Sequence, residues 1–209
     1  MKTLARALLI LIAVGACASA AVAYSIVRQG LSTRVPPSAL EKVLARAMRY
    51  AATPADIRAA QNPVEPTQDV FEEGLEHFAD HCASCHANDG SGETELGRSF
   101  YPPAPDMRAT STQDLTDGEL FSIIENGIRL TGMPAWGAGT DAGELGSWGL
   151  VHFVRRLPGL NEVNLSRMEE FNPKSPAQFR EDEKIRRFLA REDLPASAKP
   201  APGVSASQH

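Results

Sequence analysis

The sequence of 209 residues predicts an all-α fold. Three observations carry that expectation. Apolar residues recur at i, i+3, i+4 and i+7 in successive segments, capping residues open those segments, and no period-two alternation long enough for a strand lies between them. The length allows one ordinary domain with attachments and excludes a large multidomain enzyme. From Arg28 onward 19 Lys and Arg stand against 26 Asp and Glu, a net charge of −7. A body that acidic repels phosphate backbones, so nucleic acid is not an expected partner.

The first element is the most apolar. Ala7 to Val27 is a run of 21 residues without a charge, 18 of them hydrophobic. As a helix it rises about 31 Å, close to the hydrocarbon thickness of a bilayer. Lys2 and Arg6 precede the run and Arg28 and Arg34 come after it, so charge counting favours a cytoplasmic N-terminus only weakly. Residues 1–27 read as a membrane anchor or signal segment, and three forms stay open. The run continues to Val27, as a spanning helix requires; Ala18-Ser19-Ala20 has the small-x-small form of a signal-peptidase site; Val14-Gly15-Ala16-Cys17 resembles the lipobox of bacterial lipoproteins. Each form places the body outside the cytoplasm.

Val35-Pro36-Pro37 breaks the first helix, and Ser38 with Glu41 forms a capping box for the next, about 38–52, whose apolar face is Leu40, Val43, Leu44, Ala47 and Met48. Thr53-Pro54 opens a short turn of helix, and Asn62-Pro63-Val64-Glu65-Pro66 is a linker because prolines remove helix donors. A domain boundary is expected there. Thr67 then starts a helix with Val70, Phe71, Gly74, Leu75, Phe78 and Cys82 on one face; Gly74 permits close approach of another helix. A Gly- and Pro-rich loop fills Asn88 to Asp106. Thr116 and Glu119 cap a helix ending near Gly127, and a second loop carries Thr131-Gly132-Met133-Pro134-Ala135-Trp136. The last core helix is expected over about Glu144 to Leu157, with Leu145, Trp148, Val151 and Val154 as its stripe. Two further helices, Glu162 to Phe171 and one capped by Ser175 running to about Arg191, are expected to pack on the main domain, and the Pro-, Ala- and Ser-rich tail 194–209 is expected to be disordered. The divisions are thus 1–27, 28–66, 67–158, 159–193 and 194–209.

Chemistry concentrates at Cys82-Ala83-Ser84-Cys85-His86. This CxxCH pattern is expected by composition on the order of 0.001 times per chain, and it is the attachment motif of a c-type haem. Two thiols spaced by two residues add across the two vinyl groups of one haem, and His86 is delivered to the iron. His77, His81, His152 and His209 offer no second ligand pair at zinc spacing, and His77 and His81 read as surface residues. The sixth iron position is expected to take a methionine, the usual partner when the task is electron transfer. Met1, Met48 and Met168 lie in the leader, the early amphipathic helix and the C-terminal extension. Of Met107 and Met133, Met133 sits in a Gly-Met-Pro turn that can aim its side chain at an iron, and Met107 suits packing on the haem face.

At these residues the chain resembles the monohaem class I c-type cytochromes, over about 68–158. The resemblance rests on Gly74 and Phe78 before the CxxCH motif, on Gly127-Ile128 through Met133-Pro134-Ala135-Trp136, and on the terminal helix around Trp148 and Phe153. It implies a class I cytochrome c fold in which N- and C-terminal helices cross beside the haem, here with an N-terminal transmembrane helix and extra flanking helices. It also implies a proline carbonyl accepting from His86 Nδ1; Ala104-Pro105-Asp106-Met107 gives that role to Pro105, with Pro102 and Pro103 as neighbouring rivals. Trp136 and Arg129 flank Met133 and are candidates to donate to a haem propionate or else simply pack and solvate; Tyr101 and Arg98 are further candidates. Phe78, Leu120, Ile124 and Trp148 are expected to wall the pocket.

The expected function is one-electron transfer by one covalent haem c, with Cys82, Cys85, Pro105 and Trp136 binding the cofactor and His86 and Met133 ligating its iron. The chain then acts as a carrier rather than an enzyme, between membrane-bound or periplasmic redox proteins, with no small-molecule substrate. Its expected place is the bacterial cytoplasmic membrane, single-pass, with the haem domain in the periplasm. A permanent haem subunit of a larger membrane oxidoreductase and a haem-based gas sensor are the alternatives.

Overall fold

The computed structural model describes residues 2–30 and 32–192. Among them the secondary structure is helical throughout, without a strand. The tail 194–209, expected to be disordered, lies outside the described residues. The described residues divide into two compact units, one up to Asn172 and one from Pro173 to Glu192.

Helix α1 (Lys2–Gln29) contains an apolar stretch, Thr3–Ser25, that is long and apolar enough to cross a membrane. Helix α2 (Ala39–Ala52) begins where the capping box requires: Ser38 Oγ accepts from Glu41 N, and Glu41 Oε2 accepts from Ser38 N at 2.6 Å. Helix α3 (Ala55–Ala59) comes after Pro54, and the proline-rich stretch beyond it is stitched to the core. Asn62 Nδ2 donates to the Trp148 carbonyl at 2.8 Å, and His152 Nε2 lies 2.7 Å from the Val64 carbonyl.

Helix α4 (Gln68–His77), capped by Thr67 Oγ1, crosses α9 (Asp141–Arg156). Gly74 makes the crossing close: a β-carbon there would stand 2.8 Å from Phe153 Cβ. Around this crossing Leu75, Phe78, Ala79, Val151, Phe153 and Val154 are buried, and Phe78 and Phe71 pack on Phe153 with ring centroids 5.1 and 5.7 Å apart. Burying a side chain of this size stabilises by about 1.5–3 kcal/mol, which makes the crossing the centre of the fold. Helix α9 starts earlier than its apolar stripe suggests, because Thr140 Oγ1 accepts from Gly143 N at 3.2 Å and caps it. Leu145, expected on the stripe, is 54% exposed, and Leu150 and Phe153 are buried instead.

Helix α4 does not continue unbroken to the CxxCH motif. Phe78–Cys82 form a π-helical segment, with Ala83 N donating to the carbonyl of Phe78 five residues back, and one turn of helix, α5 (Ala83–His86), comes next. The expected loop before Asp106 contains α6 (Glu95–Ser99), and α7 (Thr110–Gln113) precedes α8 (Asp117–Asn126), which keeps the Thr116–Glu119 capping box. Arg155 of α9 ties α7 and α8 down: its guanidinium donates to the carbonyls of Gln113 and Leu115 at 2.6 and 2.5 Å and to Asp117 Oδ1. Helix α10 (Glu162–Phe171) belongs to the core through Met168, which is fully buried. In the second unit, α11 (Pro176–Glu192) opens on Ser175, whose hydroxyl accepts from Gln178 N.

Candidate functional site

The π-helical segment sets the angle at which the motif leaves the core. An extra residue in a helical turn rotates the next stretch of chain, and such bulges are often found at functional sites. Here it leaves Phe78, Ala79 and Ala83 buried while Cys82, Cys85 and His86 are half-buried, on the boundary between core and surface. Cys82 and Cys85 are free cysteines. Burial, with Cys85 alongside, pushes the Cys82 thiol up to about 12. That is the reverse of the lowered pKa a dithiol redox pair needs, and it keeps the thiol neutral at any physiological pH.

His86 closes α5, and Ala87 after it takes a left-handed φ of 60°, a conformation that turns the chain sharply. The segment from Ala87 to Met107 then folds back over the motif as a stitched layer. Gly92 N donates to the His86 carbonyl at 2.8 Å, Thr94 Oγ1 donates to the Cys85 carbonyl at 3.1 Å, and Met107 N donates to the Gly90 carbonyl at 2.7 Å. Gly97 lies directly on the Cys85 carbonyl, where no β-carbon fits, and its own carbonyl accepts from Ala104 N at 2.9 Å. This layer carries Pro105 to His86. The Pro105 carbonyl draws the imidazole pKa upward, but burial dominates and holds it below the usual histidine value. The contact falls short of full hydrogen-bond geometry, so His86 Nδ1 is buried without a partner. A buried, neutral imidazole is the form in which histidine ligates a metal.

Met133 is held in a tight turn. Its N donates to Thr131 Oγ1 and its carbonyl accepts from Ile128 N, both at 3.1 Å. Gly127, at φ 63°, lies against the Met133 carbonyl and Pro134, and Leu130 takes a left-handed φ of 63° at the tip. Gly132 packs on the Phe100 ring, where a β-carbon would approach within 2.5 Å of Cγ. Phe100 leads into the segment that carries Pro105, so the Met133 turn and the layer over His86 adjoin. Trp136 is tied to α8 through its N, 3.0 Å from the Ile124 carbonyl, and its indole meets the His81 ring edge-on at 5.5 Å.

Phe78, Leu120 and Trp148 are buried, Phe78 against Phe153 and Trp148 stacked on Phe121 at 4.2 Å, and Ile124 is half-buried. Tyr101 donates to Glu41 at 2.8 Å and Arg98 pairs with Glu93 at 3.0 Å, which engages both away from a propionate role. Arg129 is exposed. His81 is exposed, as expected, with its ring edge-on to Trp136. Thr94 and Gly97 were missed; their signal was a Thr-x-x-Gly start, since Thr94 Oγ1 accepts from Gly97 N at 2.8 Å. The π-helical segment had no sequence signal.

These residues fit a covalently held haem. Two thiols and an imidazole emerge together from one turn, His86 Nδ1 is buried, and a methionine turn adjoins. No curated protein matches the chain. Residues 69–154 match the family described as cytochrome c oxidase, cbb3-type, subunit III. A c-type cytochrome domain implies haem c and haem-based electron transfer. The motif at Cys82–His86, the crossing of α4 and α9 behind it, and the family match over that same stretch mark residues 69–154 as a c-type cytochrome domain.

Proposed function

We propose that the chain carries one electron at a time through a single haem c held by Cys82 and Cys85, with His86 and Met133 as axial ligands. The reading rests above all on His86, whose Nδ1 is buried in a ring that also feels the Pro105 carbonyl, an arrangement that suits ligation of the iron by the other ring nitrogen. When bound, haem c supplies a ferric–ferrous couple whose potential is raised by His/Met ligation. The polypeptide does the rest. Cys82 and Cys85 fix the macrocycle in place, the Pro105 carbonyl orients the His86 ring, and the turn pinned by Thr131 and Ile128 presents Met133. Met107, Ile124 and Ile128, all half-buried, keep water from the site. Helix α1 anchors the chain in the bacterial cytoplasmic membrane with the haem domain on the periplasmic side, and this confinement raises the effective concentration of membrane-bound redox partners.

Visible spectra of the detergent-extracted protein, oxidised, reduced, and reduced under carbon monoxide, test this. A low-spin spectrum that ignores the gas is expected, and Met133→Ala opens the site to carbon monoxide and lowers the potential. A gas-sensitive wild-type spectrum would remove the His/Met assignment and favour a gas sensor; an unchanged Met133→Ala spectrum and potential would remove Met133. The family description supports a second reading, a permanent haem subunit of a larger membrane oxidoreductase. Copurification at a fixed ratio with other subunits distinguishes it from a shuttle.

A further inference from the structure

We propose that α2 is an interfacial helix, lying in the membrane surface beside α1 and holding the cytochrome domain against the bilayer. At about 100° per residue, Leu40, Val43, Leu44, Ala47, Met48 and Ala51 fall on one arc of α2, and Glu41, Lys42, Arg46 and Arg49 fall on the other. No residue of α2 is buried; Leu40, Val43, Leu44, Met48 and Tyr50 are each more than half exposed. A 14-residue helix with a continuous apolar stripe turned to solvent requires a cover.

Three observations identify that cover as lipid. The domain already occupies the other side of the helix: Tyr101 donates to Glu41 at 2.8 Å, and Arg49 pairs with Glu119 at 3.6 Å. The apolar stripe therefore points away from the domain. Next, only residues 30–38 separate α1 from α2. Nine residues reach at most about 30 Å, so α2 stays close to the surface from which α1 emerges. Last, charge is partitioned along the chain. Residues 28–58 carry six Lys and Arg against two Asp and Glu, a net +4, while residues 59–209 carry 13 against 24, a net −11. The basic stretch is the one beside the anchor, which suits anionic phospholipid headgroups, and Lys and Arg bordering an apolar face are the pattern of a helix that lies in the interface. A protein partner would need no such match to the position of α1.

The proposal rests on α1 lying in a bilayer, and the experiment separates the two claims. The full haem-loaded chain is reconstituted in nanodiscs of phosphatidylcholine and phosphatidylglycerol. A nitroxide is placed at Leu44→Cys, Met48→Cys or Arg46→Cys, each with Cys17→Ser, and separately on the native Cys17. Relaxation by dioxygen, which concentrates among acyl chains, is compared with relaxation by a water-soluble nickel chelate. Labels at positions 44 and 48 favour dioxygen, as does Cys17, and the label at 46 favours nickel. Preference for nickel at 44 and 48, or exclusion of both reagents as at a protein contact, with Cys17 still lipid-like, would overturn the interfacial helix alone. Loss of the lipid signature at Cys17 as well would overturn the anchor and the interfacial helix together. An unchanged haem spectrum confirms that each labelled protein is folded.

Discussion

Replacing Gly74 by alanine sets two effects against each other at the helix crossing. A helix-interior Gly→Ala change contributes about 1 kcal/mol of stability through backbone entropy, and position 74 lies inside α4. Against this, the new methyl would stand 2.8 Å from Phe153 Cβ and 3.5 Å from the Gly149 carbonyl. Phe153 Cβ belongs to the backbone cylinder of α9, and its ring is fully buried between Phe71 and Phe78, so rotation gives no relief and the helices must part. Overpacking of this kind costs about 1–3 kcal/mol before the entropy gain is subtracted. The expected net loss is about 0–2 kcal/mol, read by urea denaturation of the holoprotein in detergent by circular dichroism. Gly146→Ala is the matched control: it lies on α9 with nothing within 4 Å of its β-carbon, and is expected to stabilise by about 0.5–1 kcal/mol. If Gly74→Ala stabilised as Gly146→Ala does, the close crossing would be refuted.

Other changes probe the remaining contacts. Arg155→Met keeps the stem of the side chain but leaves the Gln113 and Leu115 carbonyls and Asp117 without their donor, and is expected to cost about 2–4 kcal/mol in the same denaturation assay; a loss under about 0.5 kcal/mol would mean water replaces the guanidinium freely. Gly97→Ala pushes a methyl onto the Cys85 carbonyl and is expected to lower the yield of covalently attached haem severalfold, measured by haem-stained gel against total protein, with an unchanged yield counting against the stitched layer. Glu41 has a carboxyl pKa held below the usual range, first by Ser38 and then by Tyr101, and it raises the Tyr101 phenol in return. By linkage, Glu41 contributes at neutral pH, where it is ionised folded or unfolded, and its contribution is lost as pH falls through its depressed folded value. Glu41→Gln should therefore move one tyrosine to a lower titration midpoint in ultraviolet difference spectra; three unmoved tyrosines would deny the contact between α2 and the cytochrome domain.

What local chemistry governs was legible. The capping boxes at Ser38 and Thr116 close within one turn, and each appears where its residue types stand. The CxxCH motif is likewise local, because two thiols and an imidazole on one turn serve a single macrocycle. Helix starts were misjudged where the cap lay outside the apolar stripe, as at Thr140. Leu145 was misplaced because helical period names a face but not how far along it the partner helix reaches.

The sequence by itself therefore determined the helical class, the apolar first helix, the haem motif and the glycine that lets two helices meet, since each depends on residues within a few positions of one another. Only the tertiary structure decided that Leu145 stays exposed on the stripe of α9, that Thr94 and Gly97 clasp the Cys85 carbonyl, that Tyr101 is spent on Glu41, and that Met168 closes the core from α10. Those outcomes join residues far apart along the chain. Nothing local records such a meeting, because its energy comes from the partner's shape and its unsatisfied groups, which exist only once the helices have packed.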